Sequence, residues 1–286
     1  MSGSIVWFIT GCSSGIGRAL AIEALDRGDK VIASSRSQSM SKMDVLKQRG
    51  AHILELDVAS PETLLSDAAK NAWGIHGHID VVVNNAGYAL TGTLEESSSE
   101  EALAQFNTNV FGGLNVTRAM LPYLRARKSG TVVWIGSLGA YVPAINAGLY
   151  VASKAAIHSL GTTLHEEISP LGLRSIVIEP GYIRTSLLSK GHTISSVACI
   201  DDYVPIARPM KEVLKAVDGE QPGDPAKVAR IIVDAVKGEG WAKGTDVPTV
   251  LQLGRDSVET VRKISRDTLQ RLDQWEDVFS STNFLA

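Results

Sequence analysis

Short apolar runs alternate with helix-like stretches from the first residues of the chain. Ile5–Thr10, Lys30–Ser34, His52–Leu56, Ile79–Asn84, Thr131–Ile135 and Arg174–Glu179 are brief and rich in Val and Ile, as strands are. Val81-Val82-Val83 and Val132-Val133 are continuously rather than alternately apolar, which predicts strands covered on both faces. Between strands the period changes. Leu103, Phe106, Val110, Leu114, Thr117, Leu121 and Leu124 recur in steps of three and four and predict one unbroken helix stripe. A series of this kind implies an α/β fold: a doubly wound, Rossmann-type parallel sheet with helices on both faces.

The last third is less regular. Residues 186 to about 222 carry Pro205, Pro209, Pro222 and several glycines and show no long periodic run, so they are expected as a loop. Pro225 suits the first turn of a helix through Val236 capped by Asp224, and Val247–Leu253 suits a further strand. After Arg255, apolar residues at Val258, Val261, Ile264, Leu272, Trp275 and Phe279 predict an amphipathic helix lying on the body. The expected organisation is one domain over 1–254, including the 186–222 loop, with a helical tail over 255–286 packed on it.

Composition narrows the function classes. At 286 residues, 44% hydrophobic and 21% charged, the chain can bury one large core. The net charge is −3 and no stretch collects Lys or Arg into a phosphate-backbone track, which argues against nucleic-acid binding. Ile5–Ile9 is too short for a signal-peptide core and nothing approaches a membrane span. Two cysteines, Cys12 and Cys199, build no disulfide framework, so a reduced, cytoplasmic protein is expected. His76-Gly77-His78 is the nearest approach to a metal-ligand pair and reads as a polar turn, so no metal is expected.

The first strand runs into Thr10-Gly11-Cys12-Ser13-Ser14-Gly15-Ile16-Gly17, and a helix pattern starts at once. Three glycines so placed make either a tight turn or a loop whose amides approach a pyrophosphate at a helix N-terminus. The position favours the second, since ligands of doubly wound sheets sit at strand carboxyl ends. The second strand ends in Ser34-Ser35-Arg36, where many dinucleotide sites carry a carboxylate for the ribose 2′-hydroxyl. Arg36 suits a 2′-phosphate instead; otherwise it is a solvated loop arginine. NADP(H) is therefore the expected cofactor, with NAD(H) as the alternative.

Tyr150-Val151-Ala152-Ser153-Lys154 places a tyrosine and a lysine on one helix face. A phenol is a poor acid–base at neutral pH, and a neighbouring ammonium lowers its pKa, so the pair has a chemical purpose. A bare four-residue step also occurs by chance. Ser137, after the strand Thr131–Ile135, lies where it can bond a substrate oxygen or simply close a turn.

Taken together these residues carry a resemblance. The loop Thr10–Gly17, Asn84-Asn85-Ala86-Gly87, Asn109, Ser137, Tyr150 with Lys154, and Pro180-Gly181 stand in the order and spacing of the short-chain dehydrogenase/reductase family, over about residues 5–185. The chain looks most like its 17β-hydroxysteroid- and retinol-dehydrogenase-like and ketoreductase branches. The resemblance implies cofactor contacts from Gly11, Ser13, Ser14, Gly15, Ile16 and Gly17 in the loop, and from Asp57 and Val58 at the adenine. It implies Asn84, Ala86 and Gly87 beside the ribose, Pro180 and Gly181 over the nicotinamide, and Ile183 and Thr185 at its carboxamide. It makes Asn109, Ser137, Tyr150 and Lys154 the catalytic set, with Asn109 holding a water that links Lys154 to solvent.

The expected activity is reversible hydride transfer to a ketone or aldehyde with Tyr150 as acid–base. Tyr88, Leu138 to Ala144, Tyr182 and the loop from about Ser186 to Pro222 are the candidate substrate contacts, and their mainly apolar or small residues suit an apolar small molecule such as a steroid, retinoid or secondary metabolite. Two alternatives are a 3-oxoacyl-thioester reductase, which should show basic residues near the pocket, and an NADP(H)-sensing protein without turnover. A homodimer is the expected assembly.

Overall fold

The computed structural model describes residues 3–189 and 192–284; positions 1, 2, 190, 191, 285 and 286, which fall in the N-terminal segment, the 186–222 loop and the tail, lie outside the described residues. In chain order the elements are β1 (Val6–Ile9), α1 (Gly15–Asp26), β2 (Lys30–Ser35), α2 (Asp44–Gln48), β3 (His52–Glu55), α3 (Glu62–His76) and β4 (Val81–Asn84). There follow β5 (Ala89–Thr91), α4 (Ser99–Phe106), α5 (Gly113–Arg127), β6 (Gly130–Ile135), α6 (Gly148–Ile168) and β7 (Leu173–Pro180). The chain closes with β8 (Thr193–Ser195), α7 (Val204–Val217), α8 (Pro225–Lys237), β9 (Val250–Leu253) and α9 (Arg255–Ser280).

Seven strands form one parallel sheet in the order β3-β2-β1-β4-β6-β7-β9. The order reverses between β1 and β4, so their carboxyl ends diverge into a crevice there. β1, β4 and most of β2 and β6 are buried throughout, as continuous Val/Ile runs demand. Alternate side chains feed two cores. Trp7, Ile9, Val81, Val83, Val133 and Ile135 pack with Leu20 and Ala24 of α1 and Ile232 and Val233 of α8. Val6, Phe8, Val82, Val132 and Trp134 pack with Leu65 of α3, Met120 and Leu124 of α5 and Leu164 of α6. A buried ion pair ties the first core: Lys237 lies 2.9 Å from Asp29, which also accepts the Trp7 indole N–H at 3.0 Å.

Three expectations are corrected. The stripe from Leu103 to Leu124 is not one helix: a π-helical turn over Asn107–Gly112 separates α4 from α5. The extra residue in that turn rotates the register, leaving Leu103 60% exposed while Gln105 and Asn109 are buried. The proline-rich stretch after 186 contains a true helix, α7, with prolines only in its first half. It also contributes β8, which pairs with β5 in a separate two-stranded ribbon. The tail is helical as expected, but Ser257 is the only residue of α9 that is buried, and every described residue from Leu269 onward is exposed. The α8 expectation holds in detail, with Asp224 accepting the Ala226 amide at 2.8 Å. Among the described residues no helix is long and apolar enough to cross a membrane.

Candidate active site

The glycine loop after β1 and the Asn84–Gly87 turn after β4 meet at the crevice and are laced together. Thr10 Oγ1 accepts the amides of Asn85 and Ala86 at 3.0 and 3.1 Å and donates to the Val83 carbonyl. The Asn85 amide donates to the carbonyls of Thr10 and Gly11 at 2.8 and 3.0 Å. This contact dictates two of the glycines. Gly11 has φ +70° and a Cβ there would sit 2.8 Å from the Ala86 Cα; a Cβ on Gly17 would sit 2.3 Å from Asn85 Nδ2. Ser14 precedes α1 without lending its side chain to the first-turn amides. Those amides, and the positive end of the helix, face the crevice unclaimed by a cap.

One cleft runs along this edge. Gly11, Ser13, Ser14, Gly15 and Ile16 line its floor, and Arg36, Asp57 and Val58 line the end under β2 and β3. Ala86, Gly87 and Tyr88 line its middle. Ser137, Tyr150 and Lys154 come together at its other end, beneath Pro180, Gly181, Ile183 and Thr185. Five expected residues, Gly17, Asn84, Asn109, Leu138 and Tyr182, stand elsewhere. Gly17 and Asn84 lie behind the lining, Asn84 donating to Thr117 Oγ1 at 2.7 Å. Leu138 sits in the turn after Ser137, and Tyr182 is 48% exposed, its amide donating to Asp256 Oδ2 at 2.6 Å. Neither lines the cleft.

Asn109 is fully engaged with protein. Its Oδ1 accepts the Tyr88 amide at 3.0 Å, and its Nδ2 donates to the Tyr88 carbonyl at 3.0 Å and to Ser153 Oγ at 3.1 Å. It pins the strand end before β5 to α6, and the π-helical turn aims it there. Ser39, Leu56 and Thr108 line the cleft without having been expected, while Leu187 and His192 come from the expected 186–222 loop. Leu56 and Thr108 directly neighbour motif residues, so proximity in the chain could have found them. Within the 186–222 loop no residue-level pattern singles out His192.

The reacting end has its own electrostatics. Lys154 is 7% exposed and its Nζ donates to the Ile135 carbonyl at 2.7 Å. Burial pulls its pKa down from 10.5 to about 8. Tyr150 is pushed up to about 12 by burial, against a lowering hydrogen bond from Ser137. Loss of hydration outweighs that bond, and the Lys154 ammonium stands 5.7 Å from the centroid of the Tyr150 ring. Ser137 Oγ accepts the Gly139 amide at 3.0 Å, which leaves its hydroxyl proton free to point into the cleft. Behind this end lies the carboxylate of Glu179, with no exposed side-chain surface, held by His158 Nδ1 at 2.7 Å and Gln252 Nε2 at 3.1 Å.

The sequence profile of the short chain dehydrogenase family matches residues 5–193. The chain belongs to that family. Oxidoreductase BOA17 of Botryotinia fuckeliana is 32% identical over 275 residues, covering 96% of this chain and 97% of the relative. A short-chain dehydrogenase from Streptomyces avermitilis has a solved structure that superposes with a TM-score of 0.86 at 33% identity, covering 99% of this chain and all of that one. A short-chain dehydrogenase/reductase from Burkholderia phymatum, solved in complex with NAD, shares the fold with a TM-score of 0.80 at 21% identity, over 94% of this chain and 95% of that one. This chain is thus an oxidoreductase of the short-chain dehydrogenase family.

Proposed function

We propose that this chain is an NADP(H)-dependent carbonyl reductase that also runs in the alcohol-oxidising direction, acting on an apolar ketone or aldehyde. The observation that carries the reading is the convergence of Ser137, Tyr150 and Lys154 at one end of a cleft whose other end is the glycine loop.

The residues present fit a dinucleotide. Glycines 11 and 17 let the loop pack tightly on Asn85 and Ala86 along the cleft, and the uncapped first turn of α1 offers amides to a pyrophosphate. Arg36 lines the cleft where a carboxylate would favour the bare 2′-hydroxyl, and its forked donors suit a 2′-phosphate. Asp57 and Val58 would flank the adenine, Ala86 and Gly87 the ribose, and Pro180, Gly181, Ile183 and Thr185 the nicotinamide. When bound, the cofactor supplies or accepts the hydride.

The protein supplies orientation and the proton. Ser137 and Tyr150 donate to the substrate oxygen, and Tyr150 releases its proton as negative charge develops there. A phenol pushed up to about 12 is fully protonated at neutral pH, which suits the acid in the reductive direction. Lys154 holds the cofactor ribose and relays the replacement proton, with Asn109 fixing the helix face behind it. In the oxidative direction the same phenol must first lose its proton, so that direction gains at higher pH.

A second reading, a 3-oxoacyl-thioester reductase, asks for basic residues beside the cleft, whereas Arg208, Lys211 and Lys215 line a separate hollow together with Glu96 and Glu212. Steady-state oxidation of NADPH and NADH against a panel of steroid, retinoid, aliphatic and thioester carbonyls tests the proposal. Turnover of an apolar ketone, with kcat/KM higher for NADPH, is expected. Tight NADPH binding without turnover on any carbonyl would instead describe a cofactor sensor.

A further inference from the structure

We propose that α9 is a self-association helix through which two copies of this chain pair side by side in antiparallel orientation. The helix is 26 residues long, so about 39 Å, and only its root is attached to the body. The attachment is firm: Ser257 Oγ donates to the Glu179 carbonyl at 2.9 Å, and Asp256 accepts the Tyr182 amide at 2.6 Å. The same first turn therefore holds the loop that covers the reacting end of the cleft.

Beyond the root no described residue covers the apolar face. Leu269, Leu272, Trp275, Val278 and Phe279 are each between 47% and 61% exposed. The rings of Trp275 and Phe279 stack on one another at 6.4 Å in solvent. Large aromatic and aliphatic groups in one contiguous stripe mark a contact surface. The stripe has a seam: Val261, Ser265, Thr268, Leu272, Trp275 and Phe279 follow alternating steps of four and three, the spacing of a helix pair.

Charge identifies the occupant as a second copy and fixes its direction. Residues 255–266 hold four basic side chains against two acidic, whereas residues 267–280 hold four acidic against one basic. Antiparallel pairing sets each basic half beside an acidic half. At the edge of the seam it places Arg262 against Glu276 of the second copy, twice over by symmetry. Parallel pairing would set basic half beside basic half and acidic half beside acidic half. A helix seated on a lipid surface would carry an excess of Lys and Arg on its polar face, and α9 has five basic residues against six acidic.

Sedimentation equilibrium of the full chain tests this. Trp275→Ser combined with Phe279→Ser should lower the assembly mass by a factor of two relative to the natural chain, with its circular dichroism retained. Arg262→Glu alone should weaken association about tenfold, and Arg262→Glu with Glu276→Arg should restore it. The charge reversals leave the apolar seam intact and so remain informative if the serine variant misfolds. Equal masses for the natural chain and the folded serine variant would overturn the pairing. So would a single reversal without effect, or a monomeric natural chain that floats with phosphatidylcholine–phosphatidylserine vesicles.

Discussion

Replacing Lys154 with methionine should make the cofactor-free protein more stable at neutral pH, and the gain should disappear in alkali. Lys154 is 7% exposed, and burial pulls its pKa from 10.5 to about 8. At about 1.4 kcal/mol for each tenfold loss of proton affinity, holding the ammonium there costs the folded state about 3 kcal/mol. The native pKa lies below the unfolded one, the reverse of a lysine that gains a carboxylate partner. Below pH 8 both states are protonated and the cost is fully present. Between about 8 and 10.5 the unfolded chain holds a proton that the native chain lacks, so stability rises with pH. Above 10.5 both are neutral and the cost is gone. Methionine keeps the length of the side chain but leaves the Ile135 carbonyl without its donor, at about 1–2 kcal/mol. The net expectation is a gain of about 1–2 kcal/mol at pH 7, turning to a loss of similar size near pH 10.5. Urea unfolding of both proteins across that range reads the difference directly. A methionine variant that is less stable at pH 7 by an amount independent of pH would refute the argument.

Other perturbations follow from the same geometry. Arg36→Ala should lower kcat/KM for NADPH about 10- to 100-fold and leave NADH nearly unchanged, since a charge-assisted fork to a phosphate is lost. Gly17→Ala, whose Cβ would meet Asn85 Nδ2 at 2.3 Å, should abolish NADPH binding in a fluorescence titration, because the loop must move off Asn85. His158→Ala should destabilise by about 3 kcal/mol in urea by stripping a partner from the enclosed Glu179 carboxylate.

The central strands were legible because strands buried on both faces write themselves as unbroken Val and Ile, while the partly exposed edge strands β3 and β9 were found by their place in the alternation. α7 was hidden by Pro205 and Pro209, which read as loop punctuation; in the structure they fall in the first half of the helix, where missing amides cost least. The π-helical turn at Asn107–Gly112 leaves no mark on a periodicity count until the buried face is seen to jump from Leu103 to Gln105. Within the site, residues adjacent in the chain to a glycine or to the Tyr150 pair could be read, and most of them line one cleft. What could not be read was environment. The spacing of Tyr150 and Lys154 says nothing of the main-chain carbonyl from β6 that receives the Lys154 hydrogen bond, nor of the burial that dominates both pKa values. The amphipathic character of α9 was equally plain, whereas its lack of cover depends on where the helix leaves the body.

The central claim is that hydride passes between nicotinamide C4 and a carbonyl carbon with Tyr150 giving the proton. Reduction of an accepted ketone with NADPH deuterated at C4 on the transferred face, followed by mass spectrometry of the alcohol, tests it most directly. The account predicts one deuterium on the carbinol carbon with the natural chain, and at least about a 10³-fold slower appearance of that product with Tyr150→Phe. Alcohol formed without carbon-bound deuterium, or at an unchanged rate by the phenylalanine variant, would contradict it.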